Sequence, residues 1–265
     1  MHRQDLNQSP EGEKDSDSLT NDHTSSDKEI TKCQIVQEQD LLKKLSLIGE
    51  MSSYIAHEVR NPMTTVRGMA QLLAMEHPEK SSYYQLMIEE IDQADEVLKE
   101  FLYLARNSPL TLTQVRLNDI VYRAVDLLYS QAVKKNLHIG ISLTDNVYVY
   151  ADEEKLIQVF MHVLRNAIEA SRKDGSIFIL SRCIDKWVRV KIIDEGIGMN
   201  GSLLKKVVEP FFTTKEEKHG LGLPVAYKII EDHGGQLEIA SRPGKGTVLE
   251  ICLPRLAVKS ETELA

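Results

Sequence analysis

Apolar or neutral residues recur at Leu41, Leu45, Ile48, Ser52, Ile55, Val59, Pro62, Val66, Met69 and Leu73, in alternating steps of four and three. A seam with that spacing stays on one side of a helix and asks for a partner helix along its length. The helix is expected to start between Thr31 and Asp40 and to end near Ala74, where Glu76-His77-Pro78 breaks it. A second run of the same period comes at Tyr84, Met87, Ile91, Ala94, Leu98, Phe101 and Ala105, so the two segments make an antiparallel helical hairpin. One apolar stripe per helix leaves a hairpin half covered, and a twofold-related copy closing a four-helix bundle removes the exposure. The expectation is a homodimer through residues 40–106. Packing of the same helices on a second domain of their own chain is the other arrangement the pattern allows.

His57 lies two places after the seam residue Ile55 and two before Val59, so it points away from the partner helix. Asn61, one turn on, shares its face. A neutral imidazole, with a reference pKa of about 6.5, is a competent nucleophile at neutral pH. Glu58 beside it is placed to orient the ring and take its proton. Pro62 has no N–H for the Glu58 carbonyl, which loosens the helix next to the histidine. An arbitrary surface histidine is simply solvated; the neighbours give this one chemistry. The run His57-Glu58-Val59-Arg60-Asn61-Pro62, followed by amphipathic sequence, resembles the phospho-acceptor box of the bacterial sensor histidine kinases. That resemblance requires an ATP site elsewhere in the chain.

Asn107-Ser108-Pro109 ends the helical pattern and opens a linker over 107–117. Asn118 reads as the cap of a helix with Val121, Ala124, Val125 and Leu128 inward. Strands are expected at Leu137–Leu143 and Asn146–Ala151, then a helix capped by Asp152 whose apolar face is Leu156, Val159, Phe160, Val163, Leu164, Ala167 and Ile168. Paired strands at Ser176–Arg182 and Trp187–Ile193, a helix from Leu223 to Asp232 stopped by Gly234-Gly235, and a closing hairpin at Leu237–Ala240 and Thr247–Leu253 complete the pattern. The fold class is α+β: a helical hairpin forming a dimeric four-helix bundle, followed by a two-layer α/β sandwich with a mostly antiparallel sheet. The domain reading is 31–106 for the hairpin and 118–256 for the sandwich. Residues 1–30 are too polar to offset their ordering entropy and are read as disordered, and 257–265 as a tail.

Four pieces of the second half suit one pocket. Asn166 falls beside the apolar stripe of its helix, and an amide oxygen is a suitable hard ligand for Mg²⁺. Asp194-Glu195-Gly196-Ile197-Gly198 comes directly after a strand, where a buried Asp can accept from an exocyclic amine and glycines permit close backbone approach. Pro210-Phe211-Phe212-Thr213-Thr214-Lys215 leads into Gly220-Leu221-Gly222-Leu223 at a helix start, whose free N–H groups cradle phosphate. Arg242-Pro243-Gly244-Lys245-Gly246-Thr247 is a glycine turn. Singly these are weak. In this order and spacing they resemble the Asn, glycine-rich and phenylalanine boxes of the histidine-kinase catalytic domain, whose sandwich is shared with type II topoisomerases and a heat-shock chaperone. The likeness covers about residues 40–254 and is nearest to the sporulation kinases of endospore-forming bacteria. Two positions depart from the pattern: His162, where the family commonly has another Asn, and Lys218, where a Gly usually opens the second glycine-rich box.

By that resemblance the chain is expected to bind ATP and Mg²⁺. Asn166 would hold the metal, Asp194 and Thr247 the adenine, and Gly196 and Gly198 the base-side backbone. Gly220 and Gly222, with Leu221, Leu223 and the Thr213-Thr214-Lys215 segment, would hold the phosphate side. His57 would take the γ-phosphoryl group with Glu58 as base, Asn61 would serve the reverse reaction, and an aspartate of a response-regulator protein would receive the group. An inhibitor or sensor protein gripping the bundle is a further partner class, since nothing the size of a sensing domain precedes the hairpin. Two other readings stay open: a phosphotransfer or scaffold protein with a degenerate ATP site, and an ATPase clamp in which His57 is incidental. A net charge of -8 argues against nucleic-acid binding by general phosphate attraction. No apolar run of about 18 residues offers a membrane span, so a cytoplasmic protein is expected. Three scattered cysteines, Cys33, Cys183 and Cys252, suit reduced thiols.

Overall fold

The computed structural model describes residues 56, 58–105, 109–215 and 219–256. His57, the seam before Ala56, Lys218, and the segments read as a disordered start and a tail lie outside the described residues.

Helix α1 covers 58–76, and a 3₁₀ turn at Pro78–Lys80 leads into α2, Ser81–Ala105. The turn is built as the sequence indicates, with Pro78 in its first position, where a missing N–H costs nothing. Arg60 Nε donates to Asp95 Oδ1 and Arg67 Nε to Asp92 Oδ1, both at 2.7 Å, so rising positions on α1 meet falling positions on α2. The helices are therefore antiparallel. Ala56, Ala70 and Ile88 are buried, whereas the seam residues Val59, Val66, Met69 and Leu73 are exposed, Val66 by 52% and Met69 by 58%.

Beyond the hairpin come β1 (Thr113–Arg116), α3 (Leu117–Lys134), β2 (His138–Ser142), β3 (Tyr148–Ala151) and α4 (Glu153–Ala170). After them come β4 (Ser176–Ile184), β5 (Trp187–Asp194), α5 (Gly201–Lys206), α6 (Gly222–Asp232), β6 (Gln236–Arg242) and β7 (Gly246–Pro254). Five strands form one sheet in the order β2-β4-β5-β7-β6, in which only the β2–β4 pair is parallel. Helices α3, α4 and α6 pack together, with α4 and α6 also against the sheet. All seven residues expected on the apolar face of α4 are buried, and Phe160, Leu156 and Val159 are wholly so. Asp152 caps this helix by accepting from the Lys155 N–H at 3.2 Å.

Two local expectations are corrected. Part of the segment read as linker, Thr113–Arg116, is a strand paired antiparallel with β3 in a separate two-stranded ribbon. Asn118 is not a cap: α3 begins at Leu117, and Asn118 is buried in its first turn, donating to the Thr144 carbonyl at 3.2 Å. Its short polar side chain is used to tie the helix start to the β2–β3 loop.

Candidate functional site

The site grows out of strand register. Alternation along β5 sends Val188, Val190 and Ile192 into the core and Arg189 and Lys191 outward, and the same alternation carries Asp194 inward at the strand's end. Asp194 as a whole is only 6% exposed. Oδ1 accepts from the Gly196 N–H at 2.9 Å and from the Thr247 N–H at 3.3 Å. Among the described residues none donates to Oδ2. Burial pushes the Asp194 pKa up, and the two backbone donors offset part of that rise. Thr247 is the register partner of Asp194 on β7, and Ser241 Oγ lies 3.0 Å from its hydroxyl.

Helical spacing does the same for α4. With 159, 163 and 167 in the core, His162 and Asn166 share the flank that faces a cavity of about 1060 Å³. Asp194, Gly198, Thr213, Thr214, Lys215, Gly220, Leu221, Gly222, Leu223 and Thr247 line the same cavity. Gly196 does not; it is packed behind, on the Ala170 carbonyl. Gly198 and Gly220 have φ of +64° and +67°, and a Cβ there would strike the carbonyl oxygens of Arg242 at 2.0 Å and Phe212 at 2.5 Å. What demands glycine at both positions is thus the protein's own backbone, which closes the loops around the cavity. Lys215 pairs with Glu169 at the end of α4.

Sequence reasoning missed one wall. Gln93, Glu96, Val97 and Glu100 of α2 line the cavity opposite the sheet, and Nε2 of His162 lies 3.2 Å from Glu100 Oε1. Further along α2, Tyr103 donates to Asp232 Oδ2 at 3.0 Å, and burial with the Asp232 charge pushes its phenol up. Phe101 meets Phe211 with ring centroids 6.0 Å apart. The last turns of α2 are thus shared: Phe101, a position of the predicted seam, packs against the sandwich core, which is the other arrangement the pattern allowed for this end of the helix. Glu58 and Asn61 are exposed on α1, away from the cavity, with Glu58 bordering a shallow apolar depression formed by Val59, Pro62, Met63, Val66 and Ile91.

Comparison with known proteins gives two family matches. Residues 151–257 match the histidine kinase-, DNA gyrase B-, and HSP90-like ATPase family, and residues 47–109 the His Kinase A (phospho-acceptor) domain. The solved catalytic domain of histidine kinase ThkA is 33% identical, with a TM-score of 0.51, and the match covers 54% of this chain and 95% of that one. The chain belongs to the histidine kinases. Sporulation kinase C of Bacillus subtilis (strain 168) is 37% identical over 214 residues, and this histidine kinase spans half of that relative's length, the match covering 80% of its own. A further neighbour is ThkA solved in complex with response regulator protein TrrA, 30% identical, TM-score 0.58, covering 84% of this histidine kinase and 66% of that chain. Both halves of the sequence expectation, a phospho-acceptor hairpin and an ATPase-type sandwich, are met. No described helix is long and apolar enough to cross a membrane.

Proposed function

We propose that this chain is an ATP-dependent protein histidine kinase that phosphorylates His57 and passes the phosphoryl group to an aspartate of a response regulator, in a phosphorelay of the sporulation type. The observation that carries the reading is Asp194: a buried carboxylate with one oxygen engaged by two backbone N–H groups and the other left for a ligand, in a cavity large enough for a nucleotide. An exocyclic adenine amine donates to such an oxygen, and Thr247 stands beside it. Gly222 opens α6 at the opposite side, where free N–H groups and the helix dipole suit phosphate.

The divalent ion that accompanies ATP fits the residues present. The Asn166 amide is exposed on the cavity flank of α4, and Mg²⁺ on a nucleotide keeps its waters and phosphate oxygens and needs few protein ligands. Bound there, it would neutralise charge on the transferring group. In the transfer itself the His57 imidazole forms the N–P bond as the bond from the γ-phosphorus to the bridging oxygen breaks. ADP leaves, and Glu58 takes the ring proton. The exposed seam of α1 suits a second copy, making the hairpin half of a four-helix bundle, and the faces of that bundle left outside suit the regulator and any inhibitor or sensor protein. Domain limits of 31–106 and 118–256 belong to this same reading, as does a cytoplasmic location.

Incubation with γ-labelled ATP tests it. Wild type is expected to acquire acid-labile, base-stable label that chases onto a response regulator, and His57→Gln none. Label that persists in His57→Gln, or never appears in wild type, overturns it.

A further inference from the structure

The two edges of the five-stranded sheet are treated differently. Beside β6 the chain is tied down, the Gly244 N–H donating to the Ile197 carbonyl at 2.7 Å and the Met199 N–H to Ser241 Oγ at 2.8 Å. At the other edge β2 pairs with β4, and among the described residues no strand takes up its outer row of N–H and C=O groups. The inward side chains Ile139 and Ile141, with Leu137 and Leu143 at either end, reach the core yet are only partly buried. Helix α3, which leads into β2, packs on α4 and is the outer helix on this side. Arg123 reaches Glu153 at the start of α4 and so marks the flank of α3 turned to that helix. Tyr122, Tyr129 and Val133 lie on the other side of its buried stripe, at 48%, 62% and 54% exposed. Bare strand edge and overhanging aromatic flank together make a slot that fits one extended strand.

We infer that this slot is filled by the chain's own segment Ala257–Ala265, added antiparallel to β2 as a further strand of the sheet. The chain is already heading there. Past β7 the Arg255 N–H donates to the Lys186 carbonyl in the β4–β5 turn at 2.9 Å, and Arg255 Nε to the Asp185 carbonyl at 2.7 Å. The Leu256 N–H then donates at 2.7 Å to the carbonyl of Tyr148, which follows the β2–β3 loop. Two residues thus carry the chain from β7 past the ends of β5 and β4 toward the C-terminal end of β2. Beyond them Val258, Ser260, Thr262 and Leu264 alternate with Lys259, Glu261 and Glu263, which is strand period with one uncharged face and one charged face. Val258 to Leu264 also equals Leu137 to Leu143 in length, and both spans have apolar residues at their two ends. Laid antiparallel, the uncharged face joins Ile139 and Ile141 under the α3 flank. Lys259, Glu261 and Glu263 then stay on the solvent face, where charge keeps other chains from the new edge.

The test is hydrogen exchange of residues 137–143 read by mass spectrometry in three proteins: the full chain, a chain ended at Leu256, and Thr262→Pro, which removes one strand N–H without changing charge. Exchange of this segment is expected to be about tenfold or more faster in both variants than in the full chain, with α4 and β5 unchanged. Equally fast exchange in all three means an open edge and overturns the inference. Slow exchange in all three overturns it as well, and a dilution series then names the occupant: protection that falls on dilution belongs to a second copy, and protection that does not belongs to another segment. Protection lost throughout the sandwich in both variants, rather than at 137–143 alone, also overturns it.

Discussion

The sandwich and the hairpin are built from equally regular patterns yet end in opposite states. Along α4 every residue assigned to the apolar face is buried, and it meets strand residues such as Ile177, Ile179, Val190 and Ile192, which are at most 1% exposed. Along α1 the assigned seam is on the surface, with Val59, Val66, Met69 and Leu73 all exposed. Periodicity is thus evidence that a face will be covered, and says nothing of whether its cover lies in the same chain. The sandwich supplies its own second layer. In the hairpin Ala56, Ala70 and Ile88 are buried and Arg60–Asp95 and Arg67–Asp92 pair between the two helices, while Val59, Val66, Met69 and Leu73 are left for something else.

The largest effects should separate the two regions. Phe160 is fully buried between the layers, so Phe160→Ala is expected to cost about 3–5 kcal/mol, enough to unfold a domain of ordinary stability. Val66→Asp, on the exposed seam, is expected to leave the melting of the sandwich unchanged while the protein sediments as a monomer. Denaturant unfolding followed by Trp187 fluorescence, with sedimentation velocity on both variants, makes the comparison. A Val66→Asp protein that stays associated, or whose sandwich melts early, breaks it.

A second effect sets binding against stability inside the sandwich. Asp194→Asn keeps an oxygen to accept from Gly196 and Thr247 but loses the charge that, in the proposed function, receives the nucleotide's amine. A hydrogen bond to a charged group is worth about 1.5–3 kcal/mol, so nucleotide affinity should fall by about 10- to 100-fold. Stability should move the other way. Because burial raises the folded-state pKa above its ordinary value of 3.8, the carboxyl's favourable contribution is complete below that value and is lost as pH rises through the folded pKa. At neutral pH the amide avoids that loss. Thermal melts and nucleotide titrations at pH 7 on the same samples check both signs.

Much of this was legible because the strongest signals are local. The alternation of β5 and the apolar stripe of α4 fix which residues face the core, and Asp152 is found capping its helix as its position implied. The pocket was implied by the order of four motifs, whose assigned residues line one cavity except for Gly196, which stands behind it. What escaped depends on tertiary pairing. Thr113–Arg116 is too short to read as a strand until β3 lies beside it, and Asn118 looks like a cap until the Thr144 carbonyl claims its side chain. Glu100 and Tyr103 sit among the residues of a regular seam, and nothing in the sequence says that α4 brings His162 beside the one and α6 brings Asp232 to the other.

The smallest expected effect compares one carboxylate from each region. Glu250 on the outer face of the sheet accepts from Lys191 at 2.9 Å and Arg189 at 3.1 Å. Burial alone would raise its pKa, but the two cations outweigh burial and hold it below the usual value of 4.5. Asp95 in the hairpin is likewise held low by Lys99 and then Arg60. A depressed folded-state pKa contributes stability that is present above the unfolded value and is lost as pH falls through the folded one. Glu250→Gln is therefore expected to cost about 1 kcal/mol at pH 7, discounted because Lys191 and Arg189 are 42% and 45% exposed, and to converge with wild type in acid. Because β5 and β7 are tied into the sandwich core, this loss should appear in the main unfolding transition. The matching Asp95→Asn change should leave that transition alone and shift the hairpin. Equal shifts of the main transition by both variants would mean that the two regions unfold as one, and the contrast drawn from their apolar faces would not extend to their stability.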